Sequence, residues 1–208
     1  GMPGAPLASA EWEACLAAIE AEPDIAYLIA SGSLPPGVPN EVFGQLAALA
    51  RRKGARFIAD TSGDALVAAA KEGMFLLKPN LTELSSLVGR EELELEWVDD
   101  VAREIIAKGQ CEMVAVSLGA AGAVLITPDE VVQATPPPVR KKSTVGAGDS
   151  MVAGLVLALA QGKSQKDALC MGVAAGTAAT MNPGTELCRP EDVARLLPKL
   201  RVAVTKDL

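Results

Sequence analysis

Histidine is absent from all 208 residues. That removes histidine general bases, the Ser-His-Asp and Cys-His catalytic sets and histidine metal ligation. Any chemistry falls to carboxylates, lysines, hydroxyls or backbone amides. Cysteine is sparse: Cys15, Cys111, Cys170 and Cys188 stand far apart without a CxxC pair. This argues against a zinc ribbon or a small disulfide scaffold and for reduced thiols in a cytoplasmic protein. Positive charge is in deficit, with 19 Lys and Arg against 26 Asp and Glu and a formal net charge of -7. Neither nucleic acid nor an anionic membrane is an expected partner, and an anionic ligand has to be held by local geometry. No apolar run reaches the roughly 20 residues needed to cross a bilayer. The longest, Met151 to Ala160, reads as a buried helix. A basic region followed by an apolar segment is missing from the N-terminus, so no secretion signal is expected. Gly1 ahead of Met2 reads as the remnant of a cleaved tag.

What is present is enough for a core: 50% of the residues are hydrophobic and 22% charged, which suits one α/β domain over residues 2–208. Trp12, Leu16 and Ile19 recur at helical spacing between Ser9, a candidate cap, and Glu22. Ile25 to Ala30 reads as a buried strand closed by Ser31-Gly32-Ser33-Leu34-Pro35-Pro36-Gly37. Helices over Asn40 to Lys53 and Gly63 to Lys71 alternate with strands at Arg56 to Ala59 and Met74 to Leu77. Such alternation means crossover connections and a mostly parallel sheet. A helix capped by Asn80 and another over Asp99 to Lys108 precede apolar strands at Met113 to Leu118, Ala123 to Thr127 and Val131 to Ala134, the last three reading as locally antiparallel. From Gly146 onward the chain reads as two or three helices punctuated by Pro183 and Pro190.

The most informative segment is Ser143-Thr144-Val145-Gly146-Ala147-Gly148-Asp149-Ser150, which runs directly into the apolar helix. Glycines at a helix start expose unpaired N–H groups where the helix dipole is positive, a place suited to phosphate oxygens. A carboxylate at Asp149 repels phosphate, so its use there is as a base toward a hydroxyl attacking phosphorus. The alternative is an ordinary tight turn with a helix-terminal acid. Standard nucleotide fingerprints fail: GxGxxG needs glycine where Met151 stands, and Gly162-Lys163-Ser164 lacks the leading P-loop glycine, with Leu157 in its place. In Lys78-Pro79-Asn80-Leu81-Thr82-Glu83, Asn80 and Glu83 either form a capping box or order water around a magnesium-phosphate complex.

Taken in order, Ser31 to Gly37, Lys78-Pro79-Asn80 with Glu83, Ser117-Leu118-Gly119, Ser143 to Ser150, and Asn182-Pro183-Gly184-Thr185 resemble the PfkB group of ribokinase-like sugar kinases over the whole chain. The resemblance implies a ribokinase-like three-layer αβα sandwich with a mostly parallel central sheet. It implies Asp149 as general base and Gly146, Ala147 and Gly148 as the anion hole. Lys78 is expected near the nucleotide phosphates, Ser117, Gly119 and Gly122 beside the nucleotide, and Ser33 on the sugar phosphate. Asn80 and Glu83 match the motif that organises Mg2+ through water. Ser143, Val145, Asn182 and Gly184 match the segments around a monovalent cation such as K+.

The implied reaction is ATP-dependent phosphorylation of a sugar phosphate, with fructose 6-phosphate going to fructose 1,6-bisphosphate. Tagatose 6-phosphate and fructose 1-phosphate stay open as acceptors. The family's N-terminal section, with its β lid and much of its acceptor site and dimer contact, has no counterpart here. A weakened homodimer, weak Mg-ATP binding and poor turnover are therefore expected. A nucleotide-binding remnant or regulatory partner with little kinase activity is the rival expectation.

Overall fold

A computed structural model describes residues 4–206; Gly1, and with it the tag remnant, lies outside the described residues. Seven strands form one sheet in the order β1-β2-β3-β4-β5-β6-β7. They are β1 Tyr27–Ser31, β2 Arg56–Asp60, β3 Met74–Leu77, β4 Cys111–Ser117, β5 Ala123–Ile126, β6 Glu130–Thr135 and β7 Arg201–Lys206. The first four run parallel and the last three continue antiparallel. The helices are α1 Ser9–Ala21, α2 Glu41–Lys53, α3 Gly63–Glu72, α4 Leu81–Leu87, α5 Val98–Ala107, α6 Ala147–Ala160, α7 Gln165–Thr180 and α8 Pro190–Leu196.

Successive parallel strands are neighbours, so crossovers of one hand place their helices on one face. The core has that arrangement. Phe57 and Ala59 of β2 and Val114 and Val116 of β4 pack with Phe43 of α2, Leu66 of α3, Leu84 of α4 and Ile105 of α5. The alternate residues Ile58, Met113 and Ala115 meet Met151 and Leu155 of α6 and Leu169 and Val173 of α7 on the opposite face. Period-2 alternation thus feeds both helical layers, and β3, covered on both sides, is buried throughout. The three-layer αβα sandwich is the expected one.

Three details differ from expectation. β1 is an edge strand and not a buried one, with Ile29 43% exposed, because nothing pairs with its outer side among the described residues. Ser9 is the first residue of α1 and not its cap; Ala8 holds the cap position and its N–H donates to the Glu11 carboxylate at 2.7 Å. The chain after α8 is not helical: Arg201–Lys206 pairs antiparallel with β6. Its apolar run is only Val202-Ala203-Val204, and all of Arg201 to Thr205 is exposed, so no long buried run marks this strand.

Candidate active site

The C-terminal ends of the parallel strands form one rim, the usual ligand-facing edge of such a sheet. Ser31 ends β1, Asp60 ends β2, Lys78 follows β3 and Ser117 ends β4. A backbone bond from Ser117 N to Pro79 O at 2.9 Å ties the last two together. The start of α6 is brought to this rim from the opposite face of the sheet. Gly146 occupies its N-cap with φ 76, a left-handed backbone that favours glycine. Among the described residues no acceptor takes the N–H of Gly148 or Asp149, which leaves two helix-terminal donors open to a ligand.

Around this start lie two cavities. The first, about 320 Å³, is lined by Ser31, Ser33, Asp60, Lys78, Glu83, Gly148 and Asp149, with Gly32, Thr61 and Ser62 completing the wall. Lys78 and Asp60 form an ion pair at 3.0 Å at its floor, their side chains 6% and 14% exposed. A Cβ on Gly148 would stand 3.7 Å from both Asp60 Oδ2 and Lys78 Nζ, so the pair sits directly behind the glycine turn. Burial pushes the Asp60 carboxyl above its ordinary range; Lys78 pulls it down, and the charges of Glu83 and Asp149 push it up further. At the mouth, Ser31 Oγ donates to Asp149 Oδ1 at 2.8 Å.

The second cavity, about 370 Å³, is mostly apolar. Pro136, Pro137, Pro138, Val139, Met151 and Val173 line it together with Ser117, Gly119, Gly122, Ala147, Gly148 and Lys141. Gly122 has φ 90, and a Cβ there would come within 2.0 Å of the Ala134 carbonyl oxygen. Glycine is therefore required where the turn after β4 passes against β6. Gly148 lines both cavities.

The structure thus brings Ser117, Gly119 and Gly122 to one cavity and Ser33, Glu83 and Asp149 to the other. Lys78 lines the polar cavity and not the apolar one, approaching the apolar side only through its place behind Gly148. Asn80 accepts from Glu83 N at 2.9 Å, and its own N–H donates to Glu83 Oε2 at 2.9 Å. This is the reciprocal capping box, and it leaves Glu83, but not Asn80, on the cavity wall. Elsewhere, Ser143 Oγ donates to Gly184 O at 2.6 Å and accepts from Val145 N at 3.2 Å. Buried Asn182 donates to Leu187 O at 2.8 Å. These residues share one corner behind the α6 start.

Four polar residues of the cavity, Ser31, Asp60, Thr61 and Ser62, escaped the sequence, and two of them pair with Lys78 and Asp149. Asp60 closes an apolar strand with an acid, a signal visible in Arg56 to Asp60 once the strand is taken one residue further. Ser31 lies within the Ser31 to Gly37 loop, but nothing in its neighbours points to a residue 118 positions away.

A glycine-opened helix start between an apolar and an acidic cavity, on a mixed sheet with helices on both faces, defines the ribokinase-like class of phosphotransferases. The family model described as "pfkB family carbohydrate kinase" matches residues 6–192, and the chain belongs to that family. It is 44% identical over 196 residues to ATP-dependent 6-phosphofructokinase isozyme 2 of Escherichia coli (strain K12), covering 94% of this chain and 63% of the relative. It is also 44% identical over 165 residues to 1-phosphofructokinase of Rhodobacter capsulatus, covering 79% of this chain and 52% of that protein. Among solved structures, E. coli phosphofructokinase-2 in complex with potassium superposes with a TM-score of 0.90 at 44% identity, over 96% of this chain and 65% of that one. The chain spans between about half and two thirds of the length of these relatives.

Proposed function

We propose that the chain performs ATP-dependent phosphoryl transfer to a hydroxyl of a sugar phosphate, with fructose 6-phosphate as acceptor and fructose 1,6-bisphosphate as product. The observation that carries this is the meeting of the apolar and polar cavities at Gly148. A purine base suits the apolar cavity, and a polyphosphate leaving it has to pass the open N–H groups at the start of α6. A sugar hydroxyl in the polar cavity then lies beside Asp149. The carboxylate takes the hydroxyl proton, the oxygen attacks the γ-phosphorus, and ADP leaves as the bond to it breaks. The N–H groups of Gly148 and Asp149, with the Gly146 turn fixing their direction, steady the oxygens of the transferred group. Lys78 stands behind the same turn, and Ser33 faces the acceptor.

The donor set fits magnesium held through water: among the described residues no three His, Cys, Asp or Glu side chains converge to ligate an ion directly, while Glu83 and Asp60 present carboxylates to the cavity. Magnesium when bound there neutralises phosphate charge. The corner formed by Ser143, Val145, Asn182 and Gly184 is rich in hydroxyl and carbonyl oxygens, the ligands a potassium ion takes, and a bound ion would brace the loop into α6. Among the described residues no helix is long and apolar enough to cross a membrane, and the four thiols are unpaired, in keeping with a reducing cytoplasm.

The test is Asp149→Ala, read by ADP release with fructose 6-phosphate and by calorimetry with Mg-ATP. Transfer is expected to fall by about 10²–10⁴-fold with nucleotide binding kept. Unchanged transfer would remove Asp149 from the reaction. The exposure of Ser31, Ser33 and Asp149 on the polar cavity favours one second reading, a chain that binds nucleotide without turnover; wild-type chain that binds Mg-ATP but releases no ADP supports it.

A further inference from the structure

Asp149 is the third residue of α6 and is exposed. A carboxylate in such a place can turn about two side-chain torsions. One contact opposes this: Ser31 Oγ donates to Asp149 Oδ1 at 2.8 Å. Among the described residues Oδ2 has no such partner, so the second oxygen keeps its lone pairs for a proton.

Ser31 is itself held. It is the last residue of β1 and lies in register with Asp60 of β2. Directly after it, Gly32 N donates to Asp60 O at 2.9 Å. Thr61, which is buried, donates its hydroxyl to Gly32 O at 2.8 Å. The serine hydroxyl is therefore delivered from a backbone bonded to the end of β2 and to Thr61 just after it, across the cavity mouth from α6.

We propose that Ser31 is the positioning residue for Asp149. It fixes the carboxylate through Oδ1 so that Oδ2 takes the acceptor proton as the new O–P bond forms and the bond to ADP breaks. This rests on the reading of Asp149 as the base. A base held by one oxygen is pre-aligned, and misplacement of a reacting group costs rate and not nucleotide affinity.

The test compares wild type, Ser31→Ala and Ser31→Thr. With 13C-aspartate labelling, and the Asp149 carboxylate assigned by its loss in Asp149→Asn, that resonance is expected to shift in Ser31→Ala and to return in Ser31→Thr. An unshifted resonance in Ser31→Ala overturns the contact without any need for turnover. In ADP-release assays with fructose 6-phosphate, kcat of Ser31→Ala is expected to drop about tenfold, with KM for Mg-ATP within about twofold and recovery in Ser31→Thr. Equal kcat in Ser31→Ala and an active wild type overturns the positioning role alone. A wild type with no turnover overturns the base reading on which the role rests, whatever the resonance does.

Discussion

Lys78 and Asp60 lie behind the glycine turn with little access to water, where attraction between two charges competes with the cost of burying them. Burial leaves Asp60 above its ordinary 3.8, so the folded chain keeps a proton that the unfolded chain has already released. Its contribution to stability is therefore full below the unfolded value and is lost as pH rises through the folded one. Lys78 limits that loss. Lys78→Met fills the same space without the charge and pushes Asp60 higher still. Between acid and mildly alkaline pH the variant is expected to fall progressively behind wild type, by about 3–5 kcal/mol once the unpaired carboxylate is ionised. Urea melts of both proteins across that range check this, and a difference that does not change with pH would sink the pairing.

At the scale of elements, the position of the α6 start depends on its packing against α7. Gly154, Gly172 and Gly176 let the two helices approach: added Cβ atoms would stand 2.8 Å from Met171 O, 2.9 Å from Met151 O and 3.0 Å from Ala147 O, respectively. Gly176 matters most for the site, because Ala147 opens α6 and lines the apolar cavity. Alanine within a helix gains about 0.5–1 kcal/mol over glycine, whereas overpacking costs about 1–3 kcal/mol. The cost wins here, since the atom met is a backbone carbonyl that has no rotamer to escape into. Gly176→Ala is expected to lower the thermal midpoint and to weaken Mg-ATP binding by calorimetry. A variant as stable as wild type with full affinity would show that α6 is free to shift.

For the whole molecule, the sheet ends in two edges, β1 and β7. β1 is the edge beside the acidic cavity, with outer backbone groups that no strand pairs among the described residues and Ile29 43% exposed. A net charge of -7 opposes association only over a Debye length, while an open apolar edge favours strand pairing between chains. Ile29→Lys is expected to reduce concentration-dependent light scattering and to leave the urea midpoint unchanged. Equal scattering from the two proteins would place self-association elsewhere.

The sequence by itself determined the alternation of strands and helices, the glycine turn before Asp149, the pairing of Asn80 with Glu83 at a helix start and, through its lack of histidine, the exclusion of an imidazole from any chemistry. These are local: side-chain period, caps and positive φ are properties of a few adjacent residues. It did not disclose that β1 is an edge strand, because an apolar run looks the same whether or not a neighbour covers it. Nor did it disclose β7, whose apolar run is three residues long and exposed. The tertiary structure alone decided that Ser31, Asp60, Lys78 and Asp149 share one cavity. Parallel crossovers bring the ends of β1, β2 and β3 to one rim, and packing across the sheet delivers the start of α6 to the same place. The contact between Ser31 and Asp149, 118 residues apart, depends on both.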